Sequence, residues 1–405
     1  MTSTASASLF SAIEMAPRDP ILGITEAFNA DTNTAKINLG VGVYYDDKGK
    51  VPLLECVQKA EAKLMEQPTP RTYLPIEGLA AYDKAVQELV FGADSPVIQE
   101  KRALTVQAIG GTGALKIGAD FLKRFLPASD VYISDPSWEN HRALFESAGF
   151  TVHNYAYYDA ATRGVNFDGM LAALKAMPAG SIVVLHACCH NPTGFDLNHD
   201  DWQRVLDVVR RRDLLPLIDF AYQGFGDGLE QDAWSTRLFA AEVPELLITS
   251  SCSKNFGLYR DRTGALIVCA KTADKLIDIR SQLANIARNL WSTPPDHGAA
   301  VVATILADPE LKSRWADEVE AMRLRIAQLR SGLVEALEPH GLRERFAHIG
   351  VQRGMFSYTG LSPEQVKQLR EHHSVYMVSS GRANVAGIDA TRLALLADAI
   401  ADVCK

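Results

Sequence analysis

Between about residues 103 and 270, short apolar runs alternate with stretches whose apolar positions recur at helical spacing. The clearest runs are Val131-Tyr132-Ile133-Ser134, Ile182-Val183-Val184-Leu185, Leu215-Pro216-Leu217-Ile218, Leu246-Leu247-Ile248 and Ala265-Leu266-Ile267-Val268. Near-continuous apolar runs suit strands buried on both faces. Amphipathic segments such as Trp202 to Arg212 lie between them. This alternation predicts an α/β domain with a mostly parallel sheet, whose ligands bind beyond the carboxyl ends of the strands.

Past residue 310 the period changes. Leu311, Trp315, Val319, Met322, Ile326, Leu329, Leu333 and Leu337 recur at spacings of three and four, which predicts one long helix ending near Pro339-His340-Gly341. A smaller α+β region follows. The expected organisation is a large domain over residues 50–310 and a small domain built from residues 1–49 and 311–405.

Composition narrows the choice of partners. With 49 acidic and 41 basic residues the net charge is -8, and no basic run stands out, which argues against a nucleic-acid partner. No apolar run approaches the roughly 20 residues that cross a bilayer. The six cysteines lack framework spacing, and MTSTASASLF lacks the charged-then-apolar order of a secretory signal. A reducing, cytoplasmic setting is expected.

Polar residues cluster just after the strands. Asp135-Pro136-Ser137-Trp138 follows the first run and His186-Ala187-Cys188-Cys189-His190-Asn191-Pro192-Thr193-Gly194 the second. Asp219 closes a third, with Tyr222 behind it, and Lys254 follows a fourth within SCSKNFGLYRDR. A lysine on a polar loop is ordinarily solvated, but strand-end residues from several strands converge on one crevice. Gly110-Gly111-Thr112-Gly113 opens a helix reaching about Leu126; it is a plain turn or a phosphate-binding helix start. It matches neither the Walker nor the dinucleotide pattern. Cys188-Cys189-His190 has no second ligand pair at zinc-site spacing, so no metal is expected.

Together these residues resemble the class I aminotransferases that use pyridoxal 5′-phosphate, in the bacterial aspartate and aromatic (tyrosine) aminotransferase branch. The resemblance runs from Asp19-Pro20-Ile21-Leu22-Gly23 to Ser380-Gly381-Arg382. Its most specific motifs are Asn191-Pro192-Thr193-Gly194 and Ser251-x-Ser253-Lys254, with Arg262 eight residues on. The resemblance implies the type I fold of these transferases, a homodimer with shared sites, and amino- and 2-oxo-acid substrates. It implies that Lys254 holds the cofactor covalently and then moves the substrate's proton. Asp219 is to pair with the ring nitrogen, with His141 orienting it and His186 in support. Tyr222 and Asn191 are to bond the ring oxygen, and Trp138 is to stack on the ring. Gly111, Thr112, Ser251 and Arg262 are to hold the phosphate, with Tyr73 reaching the neighbouring subunit's. Arg382 is to clamp the substrate α-carboxylate in a two-toothed fork, and Gly42 is to line that pocket. Arg288 is to bind a side-chain carboxylate across the dimer interface.

Tyr73-Leu74-Pro75-Ile76-Glu77-Gly78-Leu79 and Gly354-Met355-Phe356-Ser357-Tyr358-Thr359-Gly360 resemble the aromatic members. Asn255-Phe256-Gly257-Leu258-Tyr259 resembles the aspartate members. The expected activity is therefore transamination of tyrosine, phenylalanine, aspartate and glutamate with 2-oxoglutarate. A strict aspartate aminotransferase is the alternative, ahead of a lyase or decarboxylase on the same fold. Three positions depart from the family's usual residues: Cys252, Thr263 and Thr293. Cys252 and Thr293 are expected to affect the shape of the pocket.

Overall fold

Each apolar run of the central region feeds two cores at once. In the computed structural model, which describes residues 10–16, 20–66 and 69–405, the runs form a seven-stranded sheet. Asp19, where the family resemblance begins, lies outside the described residues. In chain order the strands are β1 (Ala103–Ile109), β2 (Val131–Asp135), β3 (Val152–Ala156), β4 (Ile182–His186), β5 (Leu215–Phe220), β6 (Leu246–Ser251) and β7 (Thr263–Cys269). Their spatial order is β1-β7-β6-β5-β4-β2-β3. All run parallel except β7, which is antiparallel to both neighbours. The apolar runs predict the strands; they carry no sign of the reversed direction of β7.

Successive side chains on a strand point to opposite faces. Thus Ile182 and Val184 enter one core while Val183 and Leu185 enter the other. Helices cover both faces: α1 (Gly110–Phe125), α2 (Glu139–Ser147), α3 (His199–Arg211), α4 (Trp234–Glu242) and α5 (Lys275–Leu290). α1, α2 and α5 pack on the first face, α3 and α4 on the second. α3 begins with a capping box between Asn198 and Asp201, which ends the chain's exit from β4 and fixes where the helix starts.

The long helix α6 spans Pro309–Ala336, capped by Asp308 with Pro309 in its first turn. Leu311, Trp315, Val319, Met322, Ile326, Leu329 and Leu333 are all buried, as the spacing predicts. Trp315 stacks on Phe256 at 4.4 Å, nearly parallel, and donates its indole N–H to the Asn255 carbonyl at 2.7 Å. The helix therefore holds the loop that carries Lys254.

Two short strand pairs complete the fold. Ile37–Asn38 runs parallel to Val375–Tyr376, and Phe356–Tyr358 runs antiparallel to Arg382–Asn384. Asn384 donates its amide to the carbonyls of Val41 and Val43 at 2.6 and 2.7 Å, fixing the strap that carries Gly42.

Trp315→Phe keeps the stacked ring but leaves the buried Asn255 carbonyl without its donor. Urea unfolding should show a loss of about 1–3 kcal/mol. An unchanged midpoint would mean that this bond does not hold the loop.

Candidate functional site

The strand ends named in the sequence meet at one edge of the sheet. A cavity of about 250 Å³ there is lined by Gly42, Gly111, Thr112, Trp138, Asn191, Asp219, Tyr222, Ser251, Lys254, Arg262 and Arg382. β7 contributes because it runs backwards, so that its first residues stand at the carboxyl ends of its neighbours. That reversal delivers Arg262 beside the start of α1.

The start of α1 is shaped around that arginine. Gly110 has φ +64, and a Cβ on it would lie 2.5 Å from the Arg262 guanidinium. Only glycine satisfies both the left-handed backbone and the close approach. The Gly110 amide donates to the Arg262 carbonyl at 2.8 Å, while the guanidinium donates to Ser253 Oγ and the Tyr259 carbonyl. No side chain caps the helix and no acidic residue stands in its first turn. Its first N–H groups therefore face the cavity's end together with the arginine, a setting that attracts an anion.

A directed hydrogen-bond chain ends on Asp219. The Asn191 amide can only donate, and its partner is His186 Nδ1 at 3.4 Å. His186 must then carry its hydrogen on Nε2, which faces Ser137 Oγ at 3.3 Å. The Ser137 hydroxyl is left to donate to His141 Nδ1 at 2.9 Å, and His141 donates from Nε2 to Asp219 Oδ2 at 2.9 Å. Thr249 donates to the other carboxylate oxygen at 3.3 Å. Every donor has one acceptor, so one backbone amide sets the tautomer of both imidazoles. Burial pushes His186 well below the usual histidine range, which keeps it neutral in this chain. Burial also works against the charge of Asp219, but the hydrogen bond from His141 and the attraction of nearby Lys254 outweigh it and hold the carboxyl below its ordinary range. Asp219 is an anion aimed into the cavity.

Lys254 lies 4.5 Å from the centre of the Tyr222 ring. Burial, aided by Arg262 and opposed by Asp219, brings its amine from 10.5 down to about 8. Burial raises the Tyr222 phenol, with Arg382 pulling the other way. Arg382 is 1% exposed and stacks its guanidinium on Phe356 at 4.4 Å. It donates to Asn191 Oδ1 at 3.4 Å and to the Gly40 carbonyl at 3.1 Å, while its Nε has no partner. A buried guanidinium with a spare N–H beside a cavity is a receptor for a planar anion.

Three expected residues stand apart from the cavity lining. His141 is fully buried behind Asp219. Tyr73 is 92% exposed, and Arg288 is exposed at the end of α5 with no ion pair among the described residues. Cys252 points away from the cavity: Ser251 and Ser253 line it, while Cys252 is buried with its Sγ 3.5 Å from the Tyr82 hydroxyl. The expected effect of Cys252 on pocket shape therefore gives way to a packing role: its amide donates to the Thr263 carbonyl at 3.0 Å and its side chain is buried. Thr293 also lies outside the lining. Sequence reasoning assigned no role to Tyr259 or Phe356, which do line the cavity. Both sit inside stretches that carry the family resemblance, which was the available signal.

The family profile described as "Aminotransferase class I and II" matches residues 34–400. The chain belongs to this aminotransferase family. The aminotransferase is 62% identical to an "Aromatic-amino-acid aminotransferase" of Pseudomonas aeruginosa, over 98% of this chain and 99% of that one. It is 55% identical to an "Aspartate aminotransferase" of the same organism, over 98% and 100%. Among solved structures it is similar to the aromatic-amino-acid aminotransferase from Burkholderia pseudomallei covalently bound to pyridoxal phosphate. There the TM-score is 0.96, with 55% identity over 98% of this chain and 100% of that one.

The lowered amine of Lys254 has a stability signature in the cofactor-free aminotransferase. The unfolded lysine keeps its proton up to about 10.5 and the folded one loses it near 8, so stability gains from this group as pH rises through that window. Lys254→Met should stabilise the cofactor-free protein at pH 7 by up to about 3 kcal/mol. The advantage should shrink to nothing by pH 10.5. Parallel stability profiles for parent and variant across pH 7–11 would contradict the buried amine.

Proposed function

We propose that this aminotransferase binds pyridoxal 5′-phosphate. We propose further that it transfers the amino group of tyrosine, phenylalanine, aspartate or glutamate to 2-oxoglutarate. The observation that carries this reading is the convergence of Lys254, ionised Asp219 and the spare N–H of Arg382 on one cavity. The names of the two Pseudomonas relatives support both halves of the substrate range. They favour it over a strict aspartate enzyme. A lyase or decarboxylase would share Lys254 and Asp219, and neither relative carries such a name.

The cavity fits the cofactor group by group. The open start of α1, with Gly111, Thr112, Ser251 and Arg262, suits a phosphate dianion. Asp219 suits a protonated ring nitrogen, Trp138 offers a ring face, and Asn191 and Tyr222 offer polar groups beside the ring. When bound, the cofactor supplies an electron sink for the negative charge left at the substrate α-carbon.

The chain's own residues do the rest. Asp219, charged through the His141 chain, keeps the ring-nitrogen proton in place. Arg382 binds the α-carboxylate and fixes the substrate's orientation, and Gly42 lines that pocket where a Cβ would strike the Phe356 ring at 2.7 Å. Lys254 holds the cofactor at rest. Its amine would take the substrate's α-proton in the neutral form, and burial, which lowers the amine in this chain, favours that form.

Several further features belong to the same reading. The large domain is taken as 50–310 and the small one as 1–49 with 311–405. The confinement of the seven-stranded sheet to the first supports this, as does the pairing of Ile37–Asn38 with Val375–Tyr376. A homodimer with shared sites gives the exposed Tyr73 and Arg288 their roles, on the partner's phosphate and the partner's substrate side chain. A cytoplasmic setting agrees with six unpaired cysteines. No helix among the described residues is long and apolar enough to cross a membrane.

Arg288→Ala should lower kcat/KM for aspartate by roughly a hundredfold or more and leave phenylalanine within about fivefold. Equal losses for the two substrates would remove Arg288 from its assigned place.

A further inference from the structure

We propose that Arg330, on α6 and remote from the cavity, is the positioning residue that holds Phe356 against Arg382 and so sets affinity for the substrate carboxylate. The inference rests on the reading of Arg382 as the carboxylate clamp. Arg330 is 2% exposed and forms no ion pair among the described residues, Asp196 acting on it only from a greater distance. A buried cation without a counterion is costly, and it persists where its N–H groups are well supplied with acceptors. Its Nε has no partner, and the acceptors of its two terminal nitrogens all lie in one segment, residues 349–357. Arg330 donates to the carbonyls of Phe356 at 2.6 Å, Gly354 at 2.7 Å and Ile349 at 3.2 Å, and to Ser357 Oγ. It also reaches the Arg353 carbonyl at 3.3 Å. Lysine, a point charge with three donors, cannot reproduce this fan of bonds.

The far side of the segment is held by the loop that carries Asn191. The Arg353 amide donates to the Gly194 carbonyl at 2.6 Å, and a Cβ at Gly354 would lie 2.3 Å from that of Cys189. The segment is thus clipped between Arg330 and the Cys189–Gly194 loop, and its outlet is Phe356. That ring touches three parts of the site. It supports the Arg382 guanidinium at 4.4 Å, meets Tyr222 edge-on at 6.2 Å, and lies 2.7 Å from where a Cβ on Gly42 would stand. With the Arg330 bonds gone, the Phe356 carbonyl loses its donor, the ring is placed only by the strand pair with Arg382–Asn384, and the Arg382 fork loses part of its backing.

The test uses the cofactor-loaded enzyme and 3-phenylpropanoate, a monocarboxylate with no amino group to react. Calorimetry on Arg330→Met should give a Kd at least tenfold weaker than the parent, with cofactor absorbance retained. KM should rise by a similar factor for phenylalanine and for aspartate, because both share the α-carboxylate, while kcat falls less. Arg330→Lys should weaken Kd at least threefold, and it carries the test if the methionine variant does not fold. Arg382→Lys is measured alongside. If Arg382→Lys weakens binding and neither Arg330 variant does, the inference about Arg330 is wrong. If none of the three weakens binding, the clamp reading fails and takes the inference with it.

Discussion

The negative charge on Asp219 is the constraint around which the site is arranged. A carboxylate in so buried a place would ordinarily take up a proton, and here burial does act in that direction. The opposing supply is local and directional: one backbone amide at Asn191 fixes the hydrogen on His186, then on Ser137, then on His141, and the last donates to Asp219. Because the first donor is backbone, the chain of donors cannot reverse without moving the loop after β4. The same loop supplies Asn191 to Arg382, so the carboxylate and the guanidinium are referred to one piece of main chain.

The sheet makes this possible. Parallel strands deliver their ends to one edge, and β7, inserted backwards, returns the chain to that edge so that Arg262 meets the start of α1. α6 then fixes the products of this geometry from behind. Its Trp315 holds the loop of Lys254, and its Arg330 holds the segment of Phe356. One helix thereby supports the reactive amine near one end and the substrate clamp near the other.

Much of this was legible in the sequence, for identifiable reasons. Strands buried on both faces leave continuous apolar runs; Asp219 could be found because it stands where such a run stops, and Lys254 because it follows shortly after another. The spacing of Leu311 to Leu333 described the buried face of α6 correctly because packing against a core obeys the helical period. Other features left no local trace. The direction of β7 depends on pairing partners far away in the chain. Phe356 and Tyr259 reach the cavity through tertiary contacts, and only the family resemblance of the stretches around them sets them apart from core aromatics. Arg330 falls on the buried face by spacing, between Ile326 and Leu333, but its role shows only once its acceptors are seen. Cys252 left no local trace either, because the strand ends at Ser251 and a turn begins at Ser253, so no strand period carries across it.

Proton removal from the substrate depends on the charge of Asp219. Exchange of the phenylalanine α-hydrogen with deuterated water, followed by NMR on cofactor-loaded enzyme, reads this step without requiring complete turnover. Asp219→Asn keeps the shape and removes the charge. The exchange rate should fall by at least about a hundredfold with the cofactor still bound. A rate within tenfold of the parent would contradict the central role given to that charge.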